Sequence, residues 1–339
     1  MSLPIAPLGR NGPQVNRLGF GLMGLSTLYG PPKPDSERLA LLDHAYELGE
    51  RFWDTSDMYG DNEPLLGKWF KANPSKRTDI FLATKFGIKD GGAGGIDSSP
   101  EYVKVAFEKS LERLDTPYVD LYYCHRVDQK TPIELTVKAM AELVKSGKVK
   151  HLGLSEVSSD TLRRAHKVHP IAAVQVEYSP FALEIETEQT NILKTCRELG
   201  VAVVAYSPLN RGMLTGAIKS PDDFDETDFR RMAPRFSKEN FPKNLKLVDR
   251  IVEIATAKGV TPGQLTLAWL MAQGDDIFPI PGTTNPKRLE ENVGSLKVQL
   301  TEEEKKDVRK ACDEAEVVGT RYPEFFMQTC YADTPPLES

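Results

Sequence analysis

Residues 52–60 read Phe52-Trp53-Asp54-Thr55-Ser56-Asp57-Met58-Tyr59-Gly60. The apolar run ends abruptly at Asp54, and a loop of small and polar residues then delivers Tyr59. Taken alone, the stretch has two readings. An acid at the end of a strand, followed by a phenol, suits the lip of an active site. The same residues suit an aspartate that caps the next helix and a tyrosine packed over it. Recurrence along the chain favours the first. Phe81-Leu82-Ala83-Thr84 stops at Lys85, and Val119-Asp120-Leu121-Tyr122-Tyr123-Cys124 stops at His125. Successive strands that end in an ionisable residue point to one shared face.

Working outward, Asn11-Gly12 signals a tight hairpin, and Arg17–Gly21 reads as a short strand. Gly21 offers no side chain to obstruct a ligand, or serves only a turn. Asp35 starts a helix with Leu39, Leu42, Ala45, Tyr46 and Leu48 on its apolar positions, stopped by Gly49. Gly91-Gly92-Ala93-Gly94-Gly95 reads as a flexible loop without the strand and helix context of a dinucleotide fingerprint. Helical patterns cover 132–145, 186–199, 248–258, 262–273 and 302–315, with further helices from Ser159 and Pro286. Strands end at Ser155, Gln175 and Tyr206, and Phe278-Pro279-Ile280 is the last. The segment 210–243 is long enough to be functional or disordered, and the tail from Tyr331 reads as loosely ordered.

Strand and helix alternate through the chain, which implies βαβ units and parallel pairing. The length fits a closed (β/α)8 TIM barrel better than an open doubly wound sheet. We therefore expect one domain over 1–339, with an N-terminal β-hairpin at about 5–16, additional C-terminal helices and a flexible tail at about 331–339. Active sites of such barrels lie at the carboxyl ends of the strands. Asp54, Lys85, His125, Ser155, Gln175 and Tyr206 all occupy that place.

A chain of 339 residues, 40% hydrophobic and 27% charged, can bury a large core. Its net charge of −6 argues against a nucleic-acid partner, so an anionic ligand must meet local positive charge. Met1-Ser2-Leu3-Pro4 lacks the charged and apolar regions of a secretory signal, and no run has the length of a membrane span. Cys124, Cys196, Cys312 and Cys330 form no CxxC pair and read as free thiols in a reducing, cytoplasmic compartment. His166 and His169 have no acidic or cysteine partner at ligand spacing, so no metal is expected. Cys124 beside His125 invites a nucleophile reading, but no base is placed to activate it.

The strand-end residues suggest a chemistry. A phenol is a weak acid at neutral pH. A nearby ammonium would favour its phenolate, and a buried carboxylate would hold that ammonium in place. Tyr59, Lys85 and Asp54 form such a set, with His125 orienting a carbonyl oxygen or sharing the proton relay. Their natural task is to protonate an oxyanion as hydride reaches a carbonyl carbon.

The chain resembles the aldo-keto reductase superfamily over nearly its whole length. The matching stretches are Gly19–Gly21, Asp54–Gly60, Leu82–Lys85, Asp120–Asp128, Gln175–Ser179, Tyr206–Leu209 and Ile280–Thr284 through Arg288–Asn292. In flavour it is similar to fungal and plant reductases near the pyridoxal reductases. The resemblance implies NADPH-dependent reduction of aldehydes or ketones, with Asp54, Tyr59, Lys85 and His125 as the tetrad. It implies NADPH/NADP+ contacts from Gly21, Leu22, Met23, Asp54, Ser155, Gln175, Tyr206, Ser207, Leu209, Gly212, Gly282, Thr283, Thr284, Arg288, Glu291 and Asn292. Ser155 and Gln175 would bond the carboxamide, and Tyr206 would stack on the nicotinamide. Ser207, Leu209 and Gly212 would line the pyrophosphate. Thr283 and Arg288 would hold the 2′-phosphate, and Glu291 and Asn292 would read adenine.

Two positions depart from the family pattern. Glu156 stands where many members have Asn, losing a donor to the carboxamide oxygen. Gly282 stands where some branches carry Lys. The same motifs occur in a cofactor-sensing class, the potassium-channel beta subunits, which is the alternative function. Tyr29, Phe224, Phe229 and Phe236 on the long loops suit a hydrophobic or aromatic carbonyl, with pyridoxal one candidate. The oligomeric state is open.

Overall fold

In the computed structural model, which describes residues 2–92 and 94–338, a hairpin precedes a sheet of eight parallel strands. The hairpin is β1 (Ile5–Pro7) and β2 (Gln14–Asn16). The sheet holds β3 (Phe20–Gly21), β4 (Phe52–Asp54), β5 (Phe81–Phe86), β6 (Val119–Cys124), β7 (Val149–Ser155), β8 (Ile171–Glu177), β9 (Ala202–Tyr206) and β10 (Ile277–Pro279). Its strands lie side by side in chain order. Gly19 N–H donates to Pro279 O at 2.9 Å and Gly21 N–H to Pro281 O at 3.2 Å, which closes the sheet on itself. The result is the expected (β/α)8 barrel.

The helices are α1 (Asp35–Leu48), α2 (Asn62–Ala72), α3 (Pro100–Leu114), α4 (Ile133–Lys145), α5 (Ser159–Val168), α6 (Ile192–Leu199), α7 (Phe241–Lys258), α8 (Pro262–Met271), α9 (Pro286–Gly294), α10 (Glu302–Glu314) and α11 (Glu324–Met327). Among the described residues no helix is long and apolar enough to cross a membrane.

Side chains alternate across each strand with a period of two. Trp53, Leu82, Tyr122, Leu152, Val174 and Val203 point outward into the layer shared with the helices. Phe52, Ala83, Leu121, Tyr123, Ala173, Ala202, Val204 and Phe278 fill the barrel interior. Gly153 makes room for one of them, since a Cβ there would fall 2.4 Å from the Tyr123 ring. Ala6, Leu8 and Val15 of the hairpin join this inner cluster. Two residues beyond Phe52, Ala83, Tyr123, Ala173 and Val204 come Asp54, Lys85, His125, Gln175 and Tyr206, and two beyond Gly153 comes Ser155. One parity therefore delivers all of them to the inner face at the carboxyl end.

Three expectations change. Asn11 does adopt a left-handed φ of 61°, but Pro7 pairs with Gln14, so residues 8–13 form a wider loop than a tight Asn-Gly turn. The helix expected over 186–199 is interrupted. A turn at Glu184–Glu186 precedes α6, and Thr187 and Thr190 hydroxyls donate to Glu184 O at 2.8 and 2.5 Å. Those side chains compete with the helical backbone. The first part of the tail, as far as Pro335, is tied down rather than loose. Ala332 N–H donates to Glu156 O at 2.9 Å, Ser158 N–H to Ala332 O at 3.0 Å, and Arg164 reaches the carbonyls of Thr334 and Pro335. The glycine loop expected to be flexible includes Ala93, which lies outside the described residues.

Candidate active site

Lys85 stands wholly inside the barrel. Its Nζ donates to Asp54 Oδ1 at 2.5 Å, to Thr55 O at 2.7 Å and to the Tyr59 hydroxyl at 3.3 Å. Gln175 Nε2 donates to Asp54 Oδ2 at 2.8 Å, so each carboxylate oxygen has a partner. The loop after β4 is turned by Asp57 N–H donating to Lys85 O at 3.1 Å and Tyr59 N–H to Ser56 O at 3.2 Å. That fold-back sets the phenol over the lysine. The His125 ring lies edge-on to Tyr59, with centroids 5.8 Å apart at 84°. Its Nδ1 is 3.1 Å from Ser56 Oγ. The structure thus brings together Asp54, Tyr59, Lys85 and His125.

Burial governs their ionisation. It pushes Lys85 down and Asp54 up, and each opposes the other's neutralisation through their contact. Burial, with the Asp54 charge, raises Tyr59 well above the ordinary phenol value. Desolvation is the largest influence on it, and the phenol stays protonated. Burial, Lys85 and Arg126 hold His125 well below the usual histidine range, so its ring is neutral. Cys124 is buried, its thiol donates to Arg126 O at 3.2 Å, and burial pushes its pKa up. An inert thiol results.

A model of the aldo/keto reductase family matches residues 17–313. The chain belongs to the aldo/keto reductase family. An aldo-keto reductase of Schizosaccharomyces pombe, yakc [NADP(+)], is 52% identical over 342 residues and covers 99% of each chain. The aldo-keto reductase str7 of Strobilurus tenacellus is 54% identical over 326 residues, 95% of each. The crystal structure of a thermostable aldo-keto reductase, Tm1743, in complex with the inhibitor epalrestat has a TM-score of 0.74 at 30% identity, covering 91% of this chain and all of that one.

The other expected positions in this aldo-keto reductase form two groups. Around the tetrad, Leu22 N–H donates to Asp54 O at 2.9 Å, and Met23 opens the turn Met23–Leu25. Ser155 Oγ accepts from Arg126 Nη1 at 3.2 Å. The Tyr206 hydroxyl donates to Glu156 Oε1 at 2.8 Å. Beyond it, Ser207, Asn210, Arg211 and Gly212 all have left-handed φ (48°, 45°, 55° and 95°), and Leu209 lies among them. Non-glycine residues hold that conformation at a cost and cluster at ligand sites.

The second group follows β10. Gly282 packs on Gly21: a Cβ on Gly282 would fall 2.6 Å from Gly21 O, and one on Gly21 would fall 2.7 Å from Ile280 O. Both glycines serve barrel closure, which is why Gly282 has no side chain to offer a phosphate. Thr283 Oγ1 accepts from Asn285 N–H at 3.1 Å, and Thr284 O accepts from Lys33 at 3.4 Å. Asn285 Oδ1 caps α9 by accepting from Lys287 and Arg288 N–H groups at 2.9 and 3.4 Å. Those amides are therefore already engaged and not free for a phosphate. Arg288 is exposed and has no ion pair among the described residues. Glu291 accepts from Thr261 Oγ1 at 2.6 Å, and Asn292 is buried.

Two expectations about aromatics fail. Phe224 and Phe236 are buried and pack with Phe241 at centroid distances of 6.4 and 6.5 Å. They are core residues of the long loop. Tyr29 and Phe229 stay partly exposed, and Phe229 packs against Tyr322 at 5.9 Å. Sequence reasoning missed Ser56, Arg126, Arg321 and Tyr322. The first two stood inside quoted motifs, Ser56 two residues after Asp54 and Arg126 directly after His125. The last two come from a remote segment with no local signal.

Proposed function

We propose that this protein reduces aldehydes or ketones to alcohols with NADPH, Tyr59 acting as general acid. The observation that carries the reading is the single Lys85 ammonium bonded at once to Asp54, Thr55 O and the Tyr59 hydroxyl inside the barrel. The cofactor's nicotinamide supplies the hydride. Support for NADPH comes from the exposed Arg288, the Thr283 hydroxyl, the strained loop 207–212 and the NADP(+) in the name of a 52% identical relative. Ser155 and Gln175 would face the carboxamide, Tyr206 the ring, and Ser207, Leu209 and Gly212 the pyrophosphate. Arg288 and Thr283 would meet the 2′-phosphate, and Glu291 and Asn292 the adenine.

The substrate oxygen would lie between the Tyr59 hydroxyl and His125. A neutral His125 can donate one hydrogen bond from Nε2 if Ser56 donates to Nδ1. The protonated phenol gives up its proton as negative charge develops on that oxygen, and Lys85 stabilises the resulting phenolate. Asp54 keeps the ammonium charged and aimed. The whole chain would serve as one barrel domain acting on a small-molecule carbonyl. Tyr29, Phe229 and Tyr322 suit an apolar or aromatic substrate, with pyridoxal a candidate.

The test is steady-state NADPH oxidation against a panel of aldehydes and ketones that includes pyridoxal. Saturable turnover supports the reductase. Tight NADPH binding without turnover of any carbonyl would favour the cofactor-sensing alternative.

A further inference from the structure

The family match ends at residue 313, yet the chain beyond it reaches into the site. Val318 is fixed to the Asn244 side chain through bonds of 3.0 and 2.9 Å, and Thr320 O accepts from Arg235 N–H at 3.1 Å. Arg211, from the strained loop after β9, donates to Arg321 O at 2.8 Å. Arg321 then grips Glu156 with both terminal nitrogens, at 2.9 and 2.8 Å, and both side chains are buried. Its Nη1 is also 3.1 Å from the Tyr206 hydroxyl, and the Tyr322 hydroxyl is 3.2 Å from that same oxygen. Tyr206 in turn donates to Glu156.

The Tyr206 hydroxyl is thus held by three buried or half-buried groups, two of them from the segment beyond the family match. Glu156 itself sits at a left-handed φ of 53°. A long acidic residue holds that conformation less readily than asparagine does. The strain persists because Ala332 N–H holds its carbonyl and Arg321 holds its carboxylate. A strained backbone kept in place by a distant segment invites a functional account.

We propose that Arg321 is a positioning residue for the nicotinamide. By clamping Glu156 it fixes the Tyr206 ring, so the C-terminal segment completes the cofactor end of the site. The proposal rests on the NADPH reading above. It replaces the lost asparagine donor with a different device, in which the glutamate orients the platform rather than the carboxamide.

Two variants test it. Tyr206→Phe keeps the ring and the Glu156–Arg321 pair but removes the tether. The expected result is a melting temperature close to wild type, NADPH affinity lowered by about tenfold, the size of one hydrogen bond to charged partners, and a lower kcat. Glu156→Gln with Arg321→Leu removes both charges of the pair together; buried Glu177, 3.6 Å from Arg321, keeps Arg235 and Arg211 at 3.3 and 3.7 Å as partners. It is expected to melt near wild type with the same cofactor defect, and with a larger isotope effect from NADPH deuterated at the transferred position. If both variants bind NADPH within about twofold of wild type, the pair is only a staple for the tail and the proposal falls. Fluorescence titration of NADPH decides this even if no carbonyl is turned over, so failure here is distinct from failure of the reductase reading.

Discussion

Lys85 Nζ and Asp54 Oδ1 are 2.5 Å apart inside the barrel, with neither side chain more than 3% exposed. Removing one partner of such a pair strands the other charge, which costs about 3–5 kcal/mol. Lys85→Met should therefore lower both the melting temperature and kcat. Asp54→Asn combined with Lys85→Met should recover much of the melting temperature but none of the activity. Thermal unfolding and NADPH oxidation on all three proteins separate the two effects. Recovery of activity in the double variant would show that the pair serves only the fold.

Ser56 Oγ lies 3.1 Å from His125 Nδ1. On our reading it fixes the tautomer that leaves Nε2 protonated toward substrate. Ser56→Ala should lower kcat by about tenfold, less than the ~10²–10⁴-fold of a group that itself transfers the proton, with NADPH affinity unchanged. Wild-type turnover in this variant would remove the serine from the account.

Glu50 is buried, and its Oε2 has no hydrogen-bond partner among the described residues. Burial pushes its pKa up from 4.5 to about 8. Between those values the folded chain holds a proton that the unfolded chain has lost. Its stabilising contribution is therefore complete below pH 4.5 and declines as pH rises towards 8, by about 1.4 kcal/mol per pH unit. Glu50→Gln cannot titrate. Urea unfolding at pH 5, 6, 7 and 8 should show a flatter or rising profile in the variant relative to wild type. Parallel profiles would show that Glu50 is ionised in the fold.

Cofactor choice should depend on Arg288. Because Asn285 occupies the first amides of α9, side chains rather than backbone must meet a 2′-phosphate. A charge-assisted hydrogen bond is worth about 1.5–3 kcal/mol, so Arg288→Ala should weaken NADPH binding by about one to two decades. NADH binding should barely change. Fluorescence titration of both cofactors would check this. Equal losses would mean that Arg288 supports the fold instead.

The barrel was legible because it is written in local periodicity. Asp54, Lys85, His125, Ser155, Gln175 and Tyr206 stand at or next to the ends of short apolar strands buried on both faces, and the two-residue side-chain period puts them on one face. The family motifs then attached roles to those positions. Long-range partners were hidden, since Glu156 and Arg321 are 165 residues apart and nothing near either names the other. The interruption before α6 was missed because threonine hydroxyls compete with the helix only in the folded geometry. Phe224 and Phe236 were misplaced because the long loop folds back and buries them in the main core, against Phe241 of α7.

The central claim is that the Tyr59 hydroxyl delivers the proton. The direct measurement is kcat of Tyr59→Phe on the best carbonyl substrate, with NADPH affinity titrated on the same preparation. Loss of a general acid predicts a fall of at least ~10²-fold in kcat, with NADPH binding near wild type. A purified variant that binds NADPH and keeps near-wild-type kcat would contradict the account.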